Sequence, residues 1–357
     1  MAGTPRTRWI EITAILALSL LGSLAAAGLG LPMPYLIGSL VVSAGYTIAA
    51  TTRSGRRIHF PQPLRFACVA VIGVMIGASF TPDLMRALPS LWPSLVGVAV
   101  FVPLTHAMGY QLYRRLGGYD PVTAVYAAMP GGLVEAISFG EQAGGDVRIL
   151  TVQHFTRIVL VVILVPMLFL VWDGVAVGSA AGQTFSAQPY DWTDIAWIAA
   201  LAAVGAPLGK RLRIPAGHLM GALLLSAAVH VTGLAQAVPP GWLLNAAQLV
   251  IGAGLGTQFS SVTGALLGKT VALGTLSVAL MLVVSFAFAA VFAAWLPISF
   301  DALFISFAPG GVTEMGLIAL SLGVSPVIVA AHHLFRISFT VLVVSWIARS
   351  RNFGPRV

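Results

Sequence analysis

Two short patterns hold most of the side chains able to do chemistry in this 357-residue chain. One is Pro-Gly-Gly-x-x-Glu, at Pro130, Gly131, Gly132 and Glu135 and again at Pro309, Gly310, Gly311 and Glu314. The other is His-x-x-Arg, at His154 and Arg157 and again at His333 and Arg336. Both patterns recur after the same 179 residues (309 − 130 and 333 − 154). Proline removes a backbone donor and Gly-Gly reaches conformations closed to other residues, so each break should end one helix and start another. The resumed helix offers N–H groups without intrahelical partners and the positive end of its dipole. His and Arg three residues apart share a helix face. There Arg suits a bidentate anion contact, and His titrates near neutrality and can carry or relay a proton. These twelve residues are the candidate binding site for a small anionic or zwitterionic solute or an ion. Arg157 and Arg336 would face the breaks, neutralising Glu135 or Glu314 or receiving the solute. Ion pairs that merely hold the breaks in place are the alternative use of the same residues.

The elements that must position these groups are membrane-spanning helices. Hydrophobic residues make up 58% of the chain and charged ones 8%, against roughly a quarter charged in an average soluble domain. Apolar stretches recur from end to end, and about 20 such residues cross a bilayer as a helix. The repeat extends beyond the two patterns. Leu31-Pro32 through Leu40 matches Ile214-Pro215 through Leu223, at an offset of 183 (215 − 32). Ile72-Gly73, Gly77 and Phe80 match Ile251-Gly252, Gly256 and Phe259, at 179 (251 − 72). Each copy should hold five spans and one interrupted segment. In the first copy the spans are near Ile10–Leu29, Pro34–Ala50, Leu64–Phe80, Leu91–Leu112 and Val147–Trp172. In the second they are near Thr193–Leu208, Gly217–Val231, Asn245–Phe259, Thr270–Leu296 and Pro326–Ala348. The interrupted segments are Pro121–Ala143 and Asp301–Leu322, with Asp120 and Asp301 placed to cap their first turns. The expected organisation is membrane repeat 10–172, an extracytoplasmic linker 173–192 and membrane repeat 193–348.

Loop charges select the topology, because Lys and Arg accumulate on the cytoplasmic side. If the interrupted segments dip in and return, sixteen Lys and Arg fall on one side and Arg86 alone on the other. If they cross, the split is eleven to six. The first arrangement makes the fold an all-α polytopic membrane protein with two inverted repeats, each of about five transmembrane helices plus one re-entrant segment. Both termini are then cytoplasmic, in a bacterial-type inner membrane. Arg6 and Arg8 before an apolar run give the N-terminus the look of a cleavable signal peptide, but the run has a counterpart in the second copy and reads as a first span. The basic excess of +8 lies almost wholly in short loops. It reads as topology, not as a nucleic-acid surface.

No nucleophile elbow or phosphate-binding loop is present, and the adjacent pair His332-His333 points about 100° apart on a helix, a poor chelate. No metal site and no cofactor is expected. The expected partners are the lipid bilayer and a small-molecule or ion substrate, without direct nucleic-acid contact; a homo-oligomer is compatible with the sequence.

At the duplicated Pro-Gly-Gly-x-x-Glu and His-x-x-Arg elements the chain resembles the AbrB-type membrane duplication family, over about Ile10 to Ala348. Members carry labels as AbrB-family regulators, as ammonia monooxygenases or as membrane transport proteins. The resemblance therefore implies a membrane-embedded regulator of gene expression acting through partners, a monooxygenase or a transporter. The residues favour a secondary transporter coupled to protons or sodium. A metal monooxygenase needs a ligand cluster, and a DNA-binding regulator needs a loop long enough to form a soluble domain. The organisation also looks like that of glutamate and citrate symporters, although Leu133 and Val312 follow the Gly pairs where those carry Gly-Gly-x-Gly.

Overall fold

The computed structural model describes residues 5–55, 58–174, 190–235, 237, 239–261 and 264–350. Arg56 and Arg57 of the basic loop, positions 175–189 of the expected linker, and Arg351 and Arg356 lie outside the described residues. Helices α1 (Pro5–Gly28), α2 (Pro34–Ser54), α3 (Gln62–Ala78), α4 (Pro82–Ala87) and α5 (Trp92–Arg115) come first. They are followed by α6 (Pro121–Ala127), α7 (Leu133–Gln142) and α8 (Val147–Asp173). Then come α9 (Trp192–Arg211), α10 (Gly217–Val231), α11 (Gly241–Gly256) and α12 (Gly264–Ala293). The last three are α13 (Phe300–Phe307), α14 (Val312–Leu322) and α15 (Pro326–Ser350).

All ten expected spans form as helices. Seven of them (α1, α2, α5, α8, α9, α12 and α15) are long and apolar enough to cross a membrane. The other three, α3, α10 and α11, have 17, 15 and 16 residues, short of the ~20 that a crossing ordinarily takes. The fold class is that of an all-helical membrane protein.

The chain forms two compact units, one of Met1–Met85, Ile163–Ser261 and Gly316–Val327 and the other of Arg86–Val162, Val262–Met315 and Ile328–Val357. Each unit draws helices from both halves of the sequence. In the first, α3 packs on α10 and α11 packs on α2. The recurring glycines explain the contact. A Cβ on Gly77 would stand 2.5 Å from the Leu223 carbonyl oxygen, and one on Gly252 would stand 2.5 Å from that of Leu36. Only a residue without a side chain lets the backbones approach this closely.

In the second unit, α12 packs on α5 and α13, and α6 packs on α5 and α7. A buried cluster of Tyr113, Tyr119, Tyr126, Met129, Leu150, Leu273 and Val344 surrounds the first break. Phe307, the last residue of α13, meets Phe101, Phe288 and Phe292 with ring centroids 5.6, 5.3 and 5.8 Å away. Asp120 caps α6 as expected, accepting from the Thr123 N–H at 2.9 Å. Asp301 does not cap α13. That helix starts at Phe300, so the cap falls one residue earlier, on Ser299, whose hydroxyl accepts from the Ala302 N–H at 3.3 Å. Asp301 is left in the first turn, facing the positive end of the helix dipole.

Candidate functional site

Both breaks form where the Pro-Gly-Gly patterns stand. α6 stops at Ala127 and α7 resumes at Leu133, and α13 stops at Phe307 and α14 resumes at Val312. All twelve candidate residues, Pro130 to Glu135, His154, Arg157, Pro309 to Glu314, His333 and Arg336 among them, belong to the second unit.

The His-x-x-Arg helices grip the broken ones by equivalent bonds. His154 Nε2 lies 2.9 Å from the Tyr126 carbonyl and His333 Nε2 lies 3.0 Å from that of Ile305. Arg157 Nη1 donates to the Met129 carbonyl, and Arg336 Nη1 donates to that of Ala308 at 2.5 Å. Every partner in one set is 179 residues from its partner in the other (305 − 126, 308 − 129). A carbonyl only accepts, so each ring carries its hydrogen on Nε2. The last carbonyls of a helix have no intrahelical partner. These side chains supply one and place a positive charge at the negative end of the dipole. The partners of both guanidiniums are thus backbone carbonyls and a histidine ring, not Glu135 or Glu314.

The glutamates turn the other way. Glu135 Oε2 would stand 3.1 Å from a Cβ on Gly132, and the Glu314 carboxylate folds against Gly311 in the same manner. Each acid covers the opened N-terminus of its own half-helix, where a negative charge is favoured.

The two breaks share a sequence but not a conformation. Gly132 turns the first through the left-handed region at φ 71°, with Ala128 helical before it. At the second, Ala308 is extended at φ −57° and ψ 142°. Arg336 reaches further there, donating also to Phe307 at 3.3 Å, to Gly310 at 2.5 Å and to His333 Nδ1 at 2.7 Å. Arg157 has one bond; His154 Nδ1 is buried without a partner, as are the Nε atoms of both arginines. His333 Nδ1 is occupied by a guanidinium, which fixes that ring as a neutral donor and leaves no route for a proton relay through it.

Sequence reasoning passed over Gln153, the residue before the first histidine, and weighed His332, the one before the second, only as a metal ligand. Gln153 donates to Tyr119 Oη at 2.8 Å and to the Thr270 carbonyl of α12 at 3.1 Å, and accepts from Tyr113 at 3.2 Å. His332, its counterpart (153 + 179), lies 2.9 Å from Ser94 Oγ of α5. A polar residue at both repeat positions was the available signal. His332 and His333 send their Nε2 atoms to different helices, so the adjacent pair does not converge on one point. Among the described residues no three His, Cys, Asp or Glu gather to hold a metal ion.

Fold and site together define a helical membrane protein with two broken helices, each clasped by a His-x-x-Arg helix. The chain belongs to the family described as transition state regulatory protein AbrB, whose profile matches residues 44–351. It is similar to YhjN of Bacillus subtilis (strain 168), with 27% identity over 351 residues, 91% of this chain and 89% of the relative. It is also similar to an Escherichia coli (strain K12) protein named as a regulator, AbrB, with 23% identity over 335 residues, 93% of this chain and 94% of the relative.

Proposed function

We propose that this protein is a secondary transporter that moves a small anionic or zwitterionic solute, coupled to protons or sodium, across a bacterial-type plasma membrane. The observation that carries the reading is the pair of broken helices held by matched His and Arg contacts 179 residues apart. Broken helices at membrane depth are tolerated where they line a protein-enclosed or watery cavity, and half-helix ends are the usual walls of substrate and ion sites in such transporters. Buried Arg157 and Arg336 mark the same place, because intramembrane charges are costly and accompany function. The loop charges support inverted repeats with cytoplasmic termini and re-entrant breaks, an arrangement suited to alternating access. Uptake of amino and organic acids by proteoliposomes under a pH or sodium gradient tests this. Transport is expected, with loss on combining Glu135→Gln and Glu314→Gln. The reading falls if no solute moves or if the double variant transports like the wild type.

A membrane-embedded regulator of gene expression is the second reading, favoured by the regulator name of the Escherichia coli relative and of the family. It predicts that changes between Arg53 and Arg65 abolish function while those at Glu135 and Arg157 do not.

A further inference from the structure

We propose that the first break alone is the recognition site, and that it takes a carboxylate bearing an adjacent hydroxyl or ammonium group. This deepens the transporter reading and rests on it for the solute's biological role. Three unsatisfied polar groups belong to the first break. Arg157 spends Nη1 on Met129, and Nε, on the edge it shares with Nη2, is buried without a partner. That edge is the one that meets a carboxylate with two parallel bonds. His154 donates through Nε2, so its unpartnered Nδ1 is an acceptor awaiting a donor. Thr340 Oγ1 is buried without a partner, 3.6 Å from where a Cβ on Gly131 would stand.

At the second break Arg336 Nε is likewise without a partner, but the other positions are filled or apolar. Arg336 Nη2 is taken by the Gly310 carbonyl and by His333 Nδ1, which occupies the Nη2 corner of the guanidinium edge and the ring acceptor. Val161 stands where the repeat offset places Thr340 (340 − 179). Space differs in the same sense. A Cβ on Gly131 would meet Ile337 and Thr340 at an ordinary 3.5 and 3.6 Å, whereas one on Gly310 would stand 2.5 Å from Met315 Cε. Burying polar groups without partners is costly; an orphaned Nε is common to both arginines, and the further cost of an orphaned ring nitrogen and hydroxyl falls on the first break. The internal Arg336–His333 bond also displays the ligand chemistry, a donor on the ring nitrogen beside the guanidinium. A solute carboxylate on Arg157, with its own neighbouring hydroxyl or ammonium on His154 Nδ1, restores that pattern.

The test is arginine modification by phenylglyoxal on the full-length protein in detergent, with each modified peptide quantified by mass spectrometry. Arg157 is expected to react at least about tenfold faster than Arg336, since the latter must first break additional charged hydrogen bonds. L-Lactate and L-alanine should slow labelling of Arg157, and propionate, which has the carboxylate without the donor, should slow it less. Gly131→Ala and Thr340→Val should each keep the wild-type melting temperature or exceed it while losing that protection. Equal labelling of the two arginines, absence of protection, equal protection by propionate, or protection surviving in both variants would overturn the proposal. Uptake of the same solutes by proteoliposomes separates the two readings. Protection of Arg157 without uptake removes the transporter and leaves the site, whereas uptake with equal labelling of both arginines removes the site and leaves the transporter.

Discussion

Arg336 donates from Nη1 to the Ala308 carbonyl at 2.5 Å and so closes the end of a helix that Pro309 cuts short. It also donates to two further carbonyls, of Phe307 and Gly310, and to His333 Nδ1, whereas Arg157 holds the single carbonyl of Met129. The sequence motif is one, and its structural weight is not. Where the guanidinium satisfies three carbonyls and a ring nitrogen it is a fastener, and where it satisfies one carbonyl it has capacity to spare.

Arg336→Gln should therefore cost more stability than Arg157→Gln. Hydrogen bonds to charged groups contribute ~1.5–3 kcal/mol each, and orphaned buried acceptors add to the loss. On that scale Arg157→Gln should cost roughly 2 kcal/mol and Arg336→Gln about twice as much. Thermal unfolding in detergent reads both; equal melting temperatures or the reverse order would contradict the assignment.

Gln153 ties α8 to Tyr113, Tyr119 and the Thr270 carbonyl of α12. Gln153→Leu removes these hydrogen bonds and leaves buried hydroxyls short of a partner, which should cost ~1–3 kcal/mol. Adding Tyr119→Phe to Gln153→Leu removes one of the orphaned hydroxyls. The double variant should then lose less than the sum of the singles, with a coupling of ~0.5–3 kcal/mol. Strict additivity would show that the network is geometric and carries no shared energy.

Much of this was legible before any coordinates. Repeat spacing located both breaks, both His-x-x-Arg helices and the glycines Gly73, Gly77, Gly252 and Gly256 that mark close helix contacts. Hydrophobic length located ten helices. What spacing leaves open is which group faces which. Arg157 and Arg336 looked like partners for Glu135 and Glu314 because acids are visible in a sequence and carbonyls are not: every residue has one. The cap at Ser299 was missed because Asp301 offers the stronger sequence signal and only the helix start chooses between them. Thr340 was passed over for a different reason. A search by duplication discards positions without a counterpart, and its counterpart is Val161.

Close packing of α3 on α10 makes a sharp prediction at Gly77. An added Cβ would stand 2.5 Å from both the Leu223 carbonyl oxygen and Ser226 Cβ. The first is backbone and cannot rotate away, so the helices must separate. Overpacking of this kind typically costs ~1–3 kcal/mol, and Gly77→Ala should lower the melting temperature accordingly. Gly45→Ala, at a position of α2 where an added Cβ meets nothing within 4 Å, is the matched control and should be neutral or stabilising. Similar effects from the two changes would mean that α3 and α10 do not hold this spacing.

The residues that open α2 and α10 give two substitutions of opposite sign. Met33 and Ala216 sit at equivalent positions (216 − 33 = 183) and both adopt left-handed backbone, at φ 44° and 51°. A residue with a Cβ pays about 1–2 kcal/mol for that conformation. Ala216 is exposed, so Ala216→Gly relieves the strain and loses almost no contact. After the larger unfolded-state entropy of glycine is subtracted, a gain of about 0.5–1 kcal/mol should remain. Met33 is fully buried, and Met33→Gly removes a side chain whose truncation costs ~2–5 kcal/mol in a core. Packing then outweighs strain. The melting temperature should rise with Ala216→Gly and fall with Met33→Gly, and a fall in both would show that the left-handed turn at Ala216 is not strained.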